Sequence, residues 1–341
     1  MENVVLDRWM AGVEPCLGPL VALADDFTRF TGVPVDLPAA LFRRAELAGF
    51  DLPSGRTSAG GSCRLLPTAD GWAAINLARP DDRVSLPALL ALLGTPGTDL
   101  DTAAPRTPAT ELARNAQLLG IAAAAHGEAR SGRAPIHAER HGPPSPAARG
   151  LADLRIVDLS ALWAGPLCAR LLGLAGAHVV KVESAGRPDG ARRGHPEFYR
   201  WLHDGHDSLV LDFASGALAD VVARADVVIE ASRPRALRRL GVHAEEFLAA
   251  RPGRVWVSIT GYGRDDGRIA FGDDAAVAAG LTGRDAYGDP VFLGDALADP
   301  VTGLYAAHAV ACSLAAGGGE LLCVSMAACS AALAASRTAP C

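Results

Sequence analysis

Along the second half of the chain, short runs of branched apolar residues alternate with longer stretches of mixed polarity. The runs are LRIVDLS (154–160), HVVKVES (178–184), SLVLDF (208–213), DVVIEAS (226–232), VWVSITGYG (255–263) and ELLCVSM (320–326). Most are continuously apolar rather than alternating, the pattern of strands buried on both faces. Between them, GPLCARLLGLAG (165–176) and SGALADVVARA (215–225) space their apolar residues as helices do. Strand and helix in alternation predict a parallel sheet with helices on both faces. Right-handed crossovers then set the strands' C-terminal ends, and any ligand, along one edge.

The first half is less regular. Residues 20–50 carry a helical pattern, and SAGGSCRLLPTADGWAAINLA (58–78) reads as a glycine turn followed by a hairpin. The hairpin turn is TADG, closing at Gly71. SLPALLALLG (85–94) and ATELARNAQLLG (109–120) predict amphipathic helices. APIHAERHGPPSPAAR (134–149) has four prolines and little apolar periodicity, the composition of a linker. The expected division is a small α+β domain over 1–133, a linker over 134–150, and a Rossmann-like α/β domain with a parallel sheet over 151–341. A chain of 341 residues has room for two such cores.

Composition narrows the function classes. Half the residues are hydrophobic and 21% are charged, as in soluble globular proteins. A formal net charge of −6 argues against nucleic acid as the main partner. MENVVLDRWM lacks a basic stretch ahead of an apolar core, so no secretory leader is expected. No apolar run is long enough to predict a membrane span. The seven cysteines are scattered, without the paired spacing of a zinc site. They fit reduced thiols in a cytoplasmic protein, with no metal expected. Lys181 is the only lysine.

Two stretches carry candidate chemistry. DLSALWAGPLCARLLG (158–173) follows the first strand of the alternating half and lacks GxGxxG, so the dinucleotide fingerprint is absent. Gly165 ahead of a helix still permits phosphate binding there, and a plain strand–helix turn is equally open. In ALADPVTGLYAAHAV (296–310), Asp299 precedes Pro300, and Leu304, Ala307, His308 and Ala311 recur at helical spacing. Asp before Pro is a helix start, which predicts an N-cap. Capping leaves room for a catalytic carboxylate at the same position.

The run LRIVDLSALWAGPLCARLLGLAGAHVVKVES resembles the start of class III CoA-transferases, the CaiB/BaiF-like family that also holds α-methylacyl-CoA racemases. Further segments resemble the same family in order: SLVLDF, ADVVIEASRPRALRRLGV (225–242), VWVSITGYG, FGDD (271–274), ALADPVTGLYAAHAVACSLAA and ELLCVSM. GRTSAGGSCRLLPTADGWAAINLARPDDR (55–83) and ATELARNAQLLGIAAAAHGEA (109–129) are similar to the family's small domain, which ordinarily follows the region matching 320–337. The resemblance therefore implies a circularly permuted order with the small domain first. It also implies a homodimer, although the rearranged linkers put an interlocked ring in question.

The resemblance implies an acyl-CoA:carboxylate CoA-transferase with Asp299, the Asp of a D-x-x-x-G motif completed by Gly303, as nucleophile. Its partners are acyl-CoA and a carboxylic acid, with no tightly bound cofactor and with the CoA thioester as substrate. CoA contacts are implied at Leu162, Trp163, Ala164, Ser184, Leu211, Ala231, Ser232, Arg239 and Met326. Ala231 and Ser232 stand where the family has Asn-Phe, and Ala214 where a basic residue is common. Gly60 and Gly61 resemble the loop that covers the intermediate. Asp273 occupies the position of the racemases' catalytic His, beside Asp274, which counts against α-proton exchange. Racemisation, and a CoA-ester-binding protein without activity, remain the alternatives.

Overall fold

The computed structural model describes residues 2–129, 132–146, 150–152, 154–232 and 234–336. Linker residues 147–149 and the terminal Cys341 lie outside them.

Three helices open the chain: α1 (Glu2–Val13), α2 (Gly18–Thr31) and α3 (Leu37–Ala48). The predicted hairpin follows as β1 (Cys63–Thr68) and β2 (Gly71–Asn76), with Thr68 opposite Gly71 across the TADG turn. Helix α4 (Ala109–Leu118) leads into β3 (Ala122–Ala125), which pairs antiparallel with β2. The alanines of β3 are all buried, and Leu112, Ala113 and Ala116 of α4 share a core with two of them. Side chains this small let helix and sheet approach closely.

The second half builds the large sheet from β4 (Ile136–Arg140), β5 (Arg155–Asp158), β6 (His178–Ser184), β7 (Asp207–Leu211), β8 (Val227–Glu230), β9 (Val255–Thr260) and β10 (Glu320–Ser325). Among the described residues its order is β4-β10-β9-β8-β5-β6-β7. The six predicted strands run parallel, and β4 adds antiparallel to β10. Strand order reverses between β5 and β8, the crevice where doubly wound sheets bind ligands. The continuous apolar runs are explained by two cores. Ile156, Val227, Ile229 and Val257 face one, while Val157, Val228 and Trp256 face the other.

Two parts depart from the expected division. The linker is not wholly irregular, because Ile136–Arg140 form the edge strand β4. IHAER is polar, and its prolines flank the strand rather than interrupt it, which suits a half-wetted edge and hides the strand from an apolar scan. Helices α1–α3 join the large half of the molecule. Trp9, Leu20, Phe27 and Phe42 join the core that holds helix α5 (Ala164–Leu174) and helix α7 (Ala298–Ala315). Helix α7 is buried on nearly every face, between α5 and α2. Its apolar residues lie all around its axis, so sequence periodicity alone does not say which elements cover it. Helices α6 (Gly272–Ala278) and α8 (Met326–Ser336) pack together beside the hairpin.

Candidate active site

Asp299 lies in the first turn of α7, one residue inside a helix that begins at Ala298. The residue ahead of the helix is Leu297, and no side chain caps this end. The N-cap expected of Asp299 is therefore not its role. The chain instead turns at Ala296, whose φ of 45° is left-handed, and the Asp299 N–H donates to the Ala296 carbonyl at 2.8 Å. This frees the Asp299 carboxyl to face the α6 turn, where the Gly272 N–H donates to it. A Cβ on Gly272 would lie 2.5 Å from Asp299 Oδ2 and 2.3 Å from the Ala296 carbonyl oxygen. Only glycine allows backbone and carboxylate to meet here.

Gly303, four residues on, has a separate packing reason. A Cβ there would sit 2.7 Å from the Ala164 carbonyl oxygen and 3.0 Å from Leu167 Cβ. The glycine lets α7 press against the start of α5. Gly303→Ala is expected to force the two helices apart, lowering stability by about 1–3 kcal/mol as overpacking does. Thermal denaturation reads the loss, and an unchanged Tm would refute this packing role.

The carboxylate sits in a cluster assembled from four parts of the chain. Arg44 of α3 holds the fully buried Asp295 through two guanidinium bonds, one of 2.7 Å from Nε. The same guanidinium lies 5.3 Å over the Trp163 ring and 5.9 Å from the Phe50 ring. Asp273 accepts from the Ala296 N–H at 3.1 Å and from the Ser58 hydroxyl. Asp274 accepts from Asn76 Nδ2 and the Phe271 N–H, each at 3.0 Å. Asp299 keeps some exposed surface but is otherwise ringed by protein. Burial pushes its carboxyl up to about 7, Arg44 pulls against this, and Asp273 and Asp295 add to the rise. Burial, then the Asp295 charge, lifts Asp273 to about 6 against Arg44. Gly60 reaches this cluster, since a Cβ there would lie 3.6 Å from an Arg44 guanidinium nitrogen. Beside it opens a cleft of about 370 Å³ lined by Gly60, Gly61, Ser62, Leu77, Arg79 and Arg83.

Most of the implied CoA contacts fall along one edge of the sheet. Leu162 follows β5, Ser184 ends β6 opposite Leu211 at the end of β7, and Ala231 and Ser232 follow β8. Leu162 is exposed with a φ of 70°, held by its N–H to Asp189 Oδ1 at 2.9 Å. Asp189 in turn lies 3.0 Å from Nζ of the buried Lys181, which also donates to the Ser160 carbonyl. The sole lysine thus anchors the loop after β5, a strained segment of the kind that gathers at functional sites. Trp163, Ala164 and Met326 are buried, so their side chains form the wall rather than an open contact. Ser232 turns its hydroxyl to Glu230 at 2.8 Å. Arg239 is exposed in a turn beyond β8. Among the described residues, no group of His, Cys, Asp or Glu is arranged for a metal ion, and no helix is long and apolar enough to cross a membrane.

Sequence reasoning missed Arg44, Asp295, Gly272, Ser58 and Asn76. A second Asp four residues before Asp299 was the one local sign of the cluster. Nothing in LFRRAEL marks Arg44 over Arg43.

Comparison with known proteins adds to this geometry. The profile of CoA-transferase family III matches residues 151–339. Over 175 residues the chain is 28% identical to a succinyl-CoA–D-citramalate CoA-transferase of Chloroflexus aurantiacus, covering 47% of this chain and 44% of that protein. Over 181 residues it is 32% identical to the human succinyl-CoA:glutarate CoA-transferase, covering 48% and 41%. A CAIB/BAIF family protein from Brucella suis superposes with a TM-score of 0.48 at 28% identity, over 55% of each chain. The chain spans less than half the length of the two transferases it matches.

Proposed function

The chain belongs to CoA-transferase family III, and on that premise we propose that it moves coenzyme A from an acyl-CoA to a carboxylic acid, with Asp299 as nucleophile. The observation that carries this reading is the Asp299 carboxyl, freed from capping, ringed by protein and held by a backbone N–H. An Asp299 oxygen attacks the thioester carbonyl, the C–S bond breaks, and CoA leaves as thiolate from a mixed anhydride. The thiolate then attacks the aspartyl carbonyl, which releases the first acid and leaves an aspartyl–CoA thioester. The acceptor carboxylate attacks that thioester, and the thiolate returns to the new acyl carbon. New acyl-CoA departs and Asp299 is a free carboxylate again. On this reading the Gly60–Gly61 turn, beside Arg44, keeps water from the anhydride.

The substrate classes printed for the relatives, succinyl-CoA with a second dicarboxylic acid, are the first to test. Incubation with succinyl-CoA and a panel of carboxylic acids should yield the new acyl-CoA by mass spectrometry. Free CoA alone, or no exchange with any pair, would reject the transferase reading. Because attack requires the ionised carboxylate, the rate should rise about tenfold per pH unit below pH about 7 and level above it. A flat profile across that range would place the nucleophile elsewhere.

A second reading is favoured by one observation. Asp273 and Asp299 both have carboxyls lifted toward neutrality, as a two-base α-proton exchange requires. Uptake of deuterium from labelled water into recovered acyl-CoA, without CoA transfer, would select it. The small antiparallel sheet precedes the matched segment in the chain, which supports reading the order as permuted, and we infer a homodimer as the working form.

A further inference from the structure

One proton at the hairpin seam is unassigned by the bonds described so far. Asp274, in the first turn of α6, is fully buried. Its Oδ1 accepts from Asn76 Nδ2 of β2 and from the Phe271 N–H, and its own N–H also bonds to the carboxyl. Asp274 Oδ2 and Asn76 Oδ1 are buried too, and no donor among the described residues reaches either. The Nδ2–Oδ1 bond already joins the amide to the carboxyl, and each of these two groups keeps one buried oxygen without a donor. An ionised carboxylate can only accept, whereas a protonated one offers an O–H.

We propose that Asp274 holds a proton on Oδ2 and donates it to Asn76 Oδ1, closing a two-bond acid–amide ring that pins the β1–β2 hairpin to the α6 turn. The surroundings agree. The facing charge on α6 is the Asp273 carboxyl. Cys63 on β1 and Tyr262 beyond β9 face the group as a neutral thiol and phenol, each held well above its ordinary range by burial. The cation behind Tyr262, Arg268, is paired with Glu128 and Asp266. Burial lifts the Asp274 carboxyl to about 8, against the pull of its bonds from Asn76 and Phe271. Asp274 acts as a positioning residue. It fixes the Phe271 N–H, and the next residue, Gly272, donates to Asp299.

Asp274→Asn is the decisive variant, because its amide keeps the Oδ1 acceptor and supplies an N–H to Asn76. A carboxyl whose folded pKa lies above its unfolded one gives stability that is complete at low pH and lost as pH climbs between the two values. The Tm difference between Asp274→Asn and the parent should therefore widen in the variant's favour from pH about 4 to about 8, and stay constant above. In protein carrying ¹³C-labelled aspartate, the parent should show a carboxyl resonance that titrates near pH 8 and is missing from the variant. A Tm difference that ignores pH over this range, or loss of a resonance that titrates near about 4, would overturn the proposal. Neither readout uses catalysis, so failure of the transferase reading would leave this result standing.

Discussion

Asp299→Ala is expected to abolish CoA transfer, with a fall on the order of 10⁴-fold or more, as when a covalent nucleophile is removed. Neither carboxyl beside it is free to take over. Asp295 is fully buried in its Arg44 pair, and Asp273 is occupied by the Ala296 N–H and Ser58. The parent protein incubated with an acyl-CoA should gain the mass of an acyl or CoA adduct, and hydroxylamine should release it as a hydroxamate at residue 299. The variant should show neither. Stability separates this loss from unfolding. The Asp299 carboxyl is lifted to about 7 in the fold against about 3.9 unfolded, so its contribution to stability is lost as pH rises between these values. Removing it should leave Tm unchanged or higher at pH 8. Full transfer by Asp299→Ala would refute the assignment of the nucleophile.

Arg44→Met is expected to have the second largest effect, and on two quantities at once. It strands Asp295 as a buried carboxylate without a partner, a loss that costs about 3–5 kcal/mol in comparable pairs. Because Arg44 also opposes the rise of Asp299 and Asp273, its removal should move the acid limb of the rate profile above pH 7. Arg44→Met with Asp295→Leu removes both members of the pair. It should regain most of the lost Tm while the limb moves only part of the way back, since losing Asp295, which raises Asp299, offsets part of the loss of Arg44. An acid limb left at pH about 7 in Arg44→Met itself would show that Arg44 serves packing alone.

The course of the large sheet was legible because its physics is local. Val227, Val228 and Ile229 are consecutive and apolar, and a strand buried on both faces needs that pattern. TADG likewise fixed its hairpin through the turn it favours. The edge strand Ile136–Arg140 escaped because one wetted face lets it be polar. The helices at the start of the chain were legible as helices, yet the body they pack on was not. An apolar stripe on α2 records that something covers it, without saying that α7 does.

The site divides the same way. The sequence alone determined the D-x-x-x-G spacing, the glycine that lets α7 meet α5, and the loops gathered at the strands' C-terminal ends. Tertiary structure alone decided what Asp299 does with its carboxyl. It moved the helix start to Ala298, brought Arg44 to a carboxylate 251 residues away in the chain, and set Asn76 against Asp274. Backbone preferences act over a few neighbouring residues and leave their mark in a short stretch of sequence. Charges and burial act through space, and which groups share that space is settled only when the helices and the hairpin close on one another.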